Sequence, residues 1–338
     1  MKKHLVLFLA LMSAAATVAA ARPLVIAHRG ASGYLPEHTL PAKALAHGLG
    51  ADFIEQDVVL SQDGVPVVLH DIEIDNVTDV AKRFPDRHRA NGRFYAIDFT
   101  LAELKQLRVT ERFDVKTGER VFPGRFPAGR STFSISTLEE ELQLIQGLNQ
   151  STGRVAGIYP ELKAPAWHRE QGQDISAIVL PILARYGYRT KADPFFLQCF
   201  EFAEVKRLRT ELGFAGRMVL LVGKYGEGAK PEDNGKLLTA AALDEVAKYA
   251  DGIGPALALL VTVDSDGKAR PNDVVRLAHE RKLVVHPYTF RSDALPKFCA
   301  TPEAFFDLFF NEVGIDGLFS DFPDAPFVYL AKHAHAGR

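Results

Sequence analysis

The sequence predicts an α/β protein, a (β/α)8 TIM barrel with a small subdomain inserted after the second barrel strand. Three observations carry this. Short apolar β-type runs alternate with amphipathic helical windows, there are eight of each, and one long polar stretch interrupts the alternation. The 338 residues are 47% hydrophobic and 24% charged, ordinary for a globular protein and wrong for a disordered or fibrous one. A formal net charge of −2 gives no global field that would favour nucleic acid or an anionic membrane surface.

The chain opens on "MKKHLVLFLALMSAAATVAA": two lysines, a short apolar run, then small residues. That is the layout of a secretory signal over residues 1–21, cleaved near Ala20 or Ala21, and the apolar run is too short to span a bilayer. Removing Lys2 and Lys3 takes the formal charge from −2 to −4. No cysteine lies near the cleavage site, so the expectation is a soluble periplasmic or secreted protein with no stable membrane anchor. Cys199 and Cys299 are too few for a disulfide framework and too far apart for a metal site. Cys199, inside "FFLQCF", reads as a buried small hydrophobe.

The barrel is expected to comprise 22–71 and 137–338. "LVIAH" (24–28) is its first strand, followed by a helical window at 40–49 and then "DFIEQD" (52–57). "AGIYPEL" (156–162) follows a helix at 137–149, and "FFLQC" (195–199) follows one at 174–186. "MVLLV" (218–222) comes after a helix at 201–212, and "DGIG" (251–254) after one at 240–249. "LVVHPY" (283–288) and "DGLFS" (316–320) complete the strands, with helices at 271–282, 302–312 and 324–333. Apolar strands each followed by an amphipathic helix mark parallel βα units. An open doubly wound sheet would want a Gly-rich phosphate turn after its first strand, and "HRGASG" does not match it.

Two segments depart from the alternation. "VVLSQDGVPVVLH" is a pair of β-rich runs joined by Gln62-Asp63-Gly64-Val65, a hairpin signal. With the turn centred between Asp63 and Gly64, residues whose numbers sum to about 127 face each other, which carries His70 back beside Asp57 and Glu55. The polar stretch 72–136, about 65 residues, is too long for a structureless loop and should form a small subdomain with one short helix near 100–108.

Barrel enzymes place their chemistry at the C-terminal ends of the strands. Those ends carry His28-Arg29, then Glu55 and Asp57, then Glu161 with Lys163; later come Phe200, His286 with Tyr288, and Ser320 with Asp321. Glu55 and Asp57 share one face of their strand. With Glu161 they form three hard oxygen donors of the kind that suit one divalent cation, Ca2+ or Mg2+ rather than Zn2+. His28 and His70 flanking such a site suit acid–base work on a phosphoester, with Arg29 and Lys163 offsetting phosphate charge. His38, His47, His88, His168, His279, His333 and His335 show no comparable partners and read as surface or local structure. His286 has the right strand end but no visible carboxylate.

"AHRGASGYLPEHT", "IEQDVVLSQDGVPVVLHD", "YPELK", "LQCF", "VVHPYT" and "GLFSDFPD" together resemble the glycerophosphodiester phosphodiesterases, most closely the secreted bacterial branch. The resemblance runs from about residue 24 to 330. It implies a TIM barrel with an inserted subdomain that uses one divalent metal, usually Ca2+. The implied substrates are small glycerophosphodiesters such as glycerophosphocholine, cleaved to glycerol 3-phosphate and an alcohol. By position it implies His28 and His70 as the acid–base pair, Glu55, Asp57 and Glu161 as metal ligands, Arg29 and Lys163 as phosphate-contacting cations, and Phe200 as an apolar wall near the glycerol. His38 departs from the Asn that many members carry, Cys199 from a frequent Ser, and Glu201 from a frequent Asp. Segments 223–238 and 257–270 are expected as loops at the mouth. A homo-oligomer is compatible with the sequence. Two other readings use the same barrel: a phospholipase on intact lipids, which would need an apolar rim such as "PEAFFDLFF", and an exported binding or adhesion protein.

Overall fold

A computed structural model describes residues 22–223 and 236–333. The leader 1–21, most of the expected mouth loop 223–238, and the tail that carries His335 lie outside these residues. The strands are β1 (Leu24–Ala27), β2 (Phe53–Leu60), β3 (Pro66–Val68), β4 (Gly157–Leu162), β5 (Phe196–Cys199), β6 (Arg217–Val222), β7 (Gly252–Pro255), β8 (Val261–Val263), β9 (Ala269–Pro271), β10 (Val284–Val285) and β11 (Gly317–Ser320).

Eight of them form one parallel ladder in the order β10-β7-β6-β5-β4-β2-β1-β11, a nearly closed barrel with helices between the strands. The residues after β10 complete the circle: Asp316 N–H donates to Val285 O at 3.0 Å, Phe319 N–H to Pro287 O at 3.1 Å, and Phe290 N–H to Phe319 O at 2.8 Å. The expected strand 283–288 is thus shortened to two regular residues, since Pro287 has no N–H to give the ladder.

Threonines start many of the helices. Thr39, Thr137, Thr239 and Thr301 each accept a backbone N–H in the first turn of Leu40–Gly48, Leu138–Thr152, Ala240–Val246 and Pro302–Phe306. The expected helix 302–312 is α-helical only to Phe306, then continues as wider π-type turns over Asp307–Val313. Phe305, Phe306, Phe309 and Phe310 of "PEAFFDLFF" are all buried in the barrel's outer core.

Alternation along the strands divides the core in two. Ile26, Phe53, Tyr159, Phe196, Val219 and Phe319 fill the barrel interior. The intervening residues, Cys199 among them, face the helices. Both cysteines are free and buried.

β3 pairs antiparallel with the far end of β2, but in the register Val58↔Val68 and Leu60↔Pro66, so facing residues sum to 126 rather than 127. The turn takes three residues, Gln62-Asp63-Gly64, with Gly64 left-handed at φ 73, which shifts the pairing by one. Leu69 N–H still donates to Asp57 O at 2.9 Å, returning the chain to the level of the carboxylates. The outer face of this ribbon (Val59, Val67, Leu69) packs with Ile74, Phe99 and Leu107 in a separate apolar cluster. The segment 257–270 follows β7 at the C-terminal end of the barrel, but it is not a plain loop. It contains the β8–β9 hairpin, and none of its residues lines the cavity described below.

Burial of neutral histidines gives the fold an acid limit. His168 is fully buried; its Nε2 accepts the Leu60 N–H at 3.2 Å while Nδ1 lies 3.1 Å from Ala164 O. His286, which meets Tyr159 Oη at 2.9 Å, is equally enclosed. Burial pulls both imidazoles down to about 4. The unfolded chain therefore binds these protons first. The stability they contribute is complete above the ordinary histidine value and is lost as pH falls towards 4, by about 1.4 kcal/mol per pH unit for each proton. Urea unfolding at pH 7, 5.5 and 4.5 is expected to show this decline, and His168→Gln should flatten it by one proton. An unchanged slope in that variant would count against the assignment.

Candidate active site

His28, Arg29, Glu55, Asp57, His70, Glu161 and Phe200 line one cavity of about 300 Å3 at the C-terminal mouth of the barrel. Lys163 is not in that lining. Its buried ammonium lies 2.7 Å from Glu161 Oε1 and 3.8 Å from Asp57 Oδ1, so it balances the carboxylates. Gln198, Leu221, Thr289, Arg291 and Phe319 share the wall, and nothing in the sequence singles them out. Arg291 lies beyond the last recognisable strand residue, where no pattern marks it.

Strand register assembles the carboxylates. Asp57 and Glu161 are partners across β2 and β4, and Glu161 is the partner of Gln198 on β5. Glu55 sits two residues before Asp57 on the same face. One oxygen from each of the three lies within 4.8 Å of the others. Burial, with Asp57 nearby, pushes Glu55 up to about 8. Burial also raises Glu161 well above the usual carboxylate range, against the pull of Lys163. Burial would raise Asp57 too, but Lys163 and His38 hold it well below its ordinary value. Asp57 Oδ1 is buried and accepts no hydrogen bond. Three hard oxygen donors this close together, one of them unsatisfied, would suit a divalent cation.

Each cavity histidine is held by a carboxylate on Nδ1: His28 by Asp321 Oδ1 at 2.6 Å and His70 by Asp71 Oδ1 at 2.6 Å. A neutral imidazole so held donates from Nδ1 and keeps its lone pair on Nε2. His28 Nε2 is 3.9 Å from Glu55 Oε2. Burial and the Arg29 charge lower both histidines to about 4, so each rests as a neutral base at pH 7. Asp71 and Asp321 stand in the quoted stretches "LHD" and "FSDFPD", directly after strand ends, yet nothing in a single sequence marks them as imidazole partners.

His38 is not the surface or merely local residue that the sequence suggests. It is buried; Lys43 Nζ lies 3.1 Å from its Nδ1, and its Nε2 lies 2.7 Å from Asp57 Oδ2. An ammonium can only donate, so Nδ1 accepts and Nε2–H donates to Asp57. His38 therefore orients a member of the carboxylate cluster. Lys43 is itself buried, bonded to Glu55 O and paired with Glu141.

The backbone is bent to serve these contacts. Arg29, His38 and Ala164 are left-handed non-glycine residues, at φ 58, 59 and 41. Such residues cost about 1–3 kcal/mol each and persist where surrounding structure fixes them. The Arg29 bend aims its N–H at Glu55 Oε2, at 2.8 Å. Gly30 follows at φ 87, where a Cβ would stand 2.9 Å from Ala42 backbone atoms. The glycine of "HRG" is therefore dictated by the turn.

The model of the glycerophosphoryl diester phosphodiesterase family matches residues 28–325. The chain belongs to that family. Among family relatives, it is 44% identical to a glycerophosphodiester phosphodiesterase of Haemophilus influenzae, over 91% of this chain and 89% of that one. It is 38% identical to one of Treponema pallidum, over 93% and 94% respectively. Among solved structures, it resembles a glycerophosphoryl diester phosphodiesterase from Silicibacter pomeroyi with a TM-score of 0.69 at 23% identity, covering 93% of this chain and 95% of that one. An Oleispira antarctica phosphodiesterase, solved with sn-glycerol-3-phosphate, gives 0.61 at 20% identity, covering 92% and 97%. These two structures bear on the fold, and the barrel agrees.

Proposed function

We propose that this chain hydrolyses glycerophosphodiesters, such as glycerophosphocholine and glycerophosphoethanolamine, to sn-glycerol 3-phosphate and an alcohol. Its place of action is the periplasm or the outside of the cell, after loss of the leader. The observation that carries the reading is the pair of carboxylate-held imidazoles facing one cavity with three clustered carboxylates. The names of the Haemophilus and Treponema relatives support the reaction, and the product held by the Oleispira protein supports glycerol 3-phosphate as the fragment that keeps the phosphate.

Glu55, Asp57 and Glu161 would hold one divalent cation, Ca2+ in the first place and Mg2+ as the alternative, which when bound offsets phosphate charge and polarises the ester. One imidazole takes on Nε2 the proton of the attacking water, or of the substrate's own neighbouring hydroxyl, in which case water opens the cyclic phosphate in a second step. The other imidazole relays a proton drawn from solvent to the leaving alkoxide, so the alcohol departs neutral, and the proton held by the first returns to solvent. Arg29 faces the cavity and supplies fixed positive charge for the phosphate, while Lys163 keeps the carboxylate cluster in balance. Phe200 gives an apolar wall for the glycerol carbons.

The small cavity suits a deacylated diester, and the phenylalanines that could have made a lipid-binding rim are buried, which disfavours a phospholipase. The complete set of acid–base and carboxylate groups disfavours a barrel that only binds.

Product analysis with glycerophosphocholine tests reaction, leaving group and metal together. Glycerol 3-phosphate and choline are expected, silenced by excess chelator and restored by Ca2+. Full turnover in excess chelator, or release of phosphocholine, would sink the reading.

A further inference from the structure

We infer that Arg112 and Arg125, both from the segment inserted after β2, are positioning residues that hold the two histidine-bound carboxylates. This rests on His28 and His70 acting as the acid–base pair. The insertion then completes the catalytic machinery, in addition to lying beside the mouth.

The two dyads are built alike. Asp71 gives Oδ1 to His70, and its Oδ2 accepts from Arg112 Nη1 at 2.5 Å and from Asn76 at 2.7 Å. Asp321 gives Oδ1 to His28, and its Oδ2 accepts from Arg125 Nη2 at 2.7 Å and from Arg291 Nε at 2.9 Å. In each case one oxygen orients the imidazole and the other is fixed by a guanidinium from residues 112–125. A carboxylate held at one oxygen alone could rotate about its own bond, and the imidazole would follow.

Both arginines are anchored from a second side. Arg112 forks Glu37, from Nη2 at 2.6 Å and Nε at 3.0 Å, and Glu37 also accepts from Arg29 at 3.0 Å. Arg112 therefore links His70's partner to the cation that faces the phosphate cavity. Arg125 forks Asp293, from Nε at 2.8 Å and Nη2 at 3.1 Å, and its guanidinium lies 3.6 Å above the Phe122 ring. Planar, two-sided contacts of this kind need a guanidinium; an ammonium supplies the charge without the fork. Arg112 and Arg125 flank a hairpin-like loop, Phe113 bridging Arg120, so one short piece of chain reaches both dyads.

The test is a pair of double-mutant cycles read with glycerophosphocholine. Arg112→Gln and Arg125→Gln are each expected to lower kcat by about 10–100-fold, with KM within about threefold. In an Asp71→Asn background, Arg112→Gln should cost less than about threefold more, and Arg125→Gln likewise in Asp321→Asn, since each pair acts as one unit. Arg→Lys variants should lose an intermediate amount. If a Gln variant fails to melt cooperatively, the same cycle is read on its Lys counterpart. Losses that multiply within the cycles, a loss confined to KM, or wild-type kcat in the Gln variants would each overturn the inference. Inactive His28→Ala and His70→Ala beside fully active arginine variants would refute it alone, whereas fully active histidine variants would remove the acid–base reading beneath it.

Discussion

Replacing His70 by Ala is expected to reduce glycerol 3-phosphate release by roughly 10²–10⁴-fold while leaving the thermal melt intact, and His28→Ala should do the same. The size follows from what each imidazole contributes. With Nδ1 engaged by a carboxylate, only Nε2 is open to the cavity, so Ala removes the proton-transfer atom and leaves the orienting carboxylate behind. The fold should tolerate the loss of His70, which sits in irregular chain after β3. Asp71 keeps Arg112 and Asn76 as partners in its absence. A diester with a strongly acidic leaving group separates the two roles, because departure of such a group needs no proton. The variant that recovers on that substrate identifies the acid. Equal recovery of both, or of neither, would show that the two histidines do not divide the work. Wild-type release in either alanine variant would end the assignment.

The second large effect concerns the cation. Glu55→Gln is expected to leave the melting temperature in chelator within about 2 °C of the parent, yet to abolish the rise of about 5 °C expected with Ca2+ at a hundred times its Kd. The asymmetry follows from the Glu55 carboxyl, which burial and Asp57 push up to about 8. Near neutrality and without a cation it is largely protonated, and Gln is close to its neutral form. With a cation it must ionise, which Gln cannot do. The same proton links affinity to pH: apparent Ca2+ affinity should climb by up to tenfold per unit as pH rises towards 8 and level off above it. Calcium titrations followed by melting temperature at pH 6, 7 and 8 check the direction. A Ca2+-dependent rise that survives in the variant would remove Glu55 from the ligand set.

Much of this was legible because it depends on periodicity. All eight barrel strands and their helices show as apolar runs and amphipathic windows, and the carboxylates stand at strand ends where a parallel barrel must place chemistry. What stayed hidden depends on contacts between distant segments. His38 looks like any loop histidine until the fold brings Asp57 and Lys43 to its two nitrogens. Asp71 is an ordinary turn acid in the sequence, and Asp321, though it stands at a strand end, carries no sign that it holds His28. Arg112 and Arg125 are two among many in an arginine-rich insertion, and only packing shows which reach inward. The hairpin was readable, but its register depended on whether Asp-Gly closes a two- or a three-residue turn, and that is settled by φ at Gly64.

Closure of the barrel between its first and last strands has a kinetic consequence. β1 pairs Leu24 with Gly317 and Ala27 with Ser320, a separation of nearly the whole chain. Contacts so distant in sequence form late in folding, because the loop-closure entropy has to be overcome first. Until then β1 has an unpaired edge, and His28, next after it, has no Asp321 to hold it. Catalytic competence is therefore expected only once this seam has closed, and recovery of turnover after dilution from denaturant would time the sealing of the barrel itself.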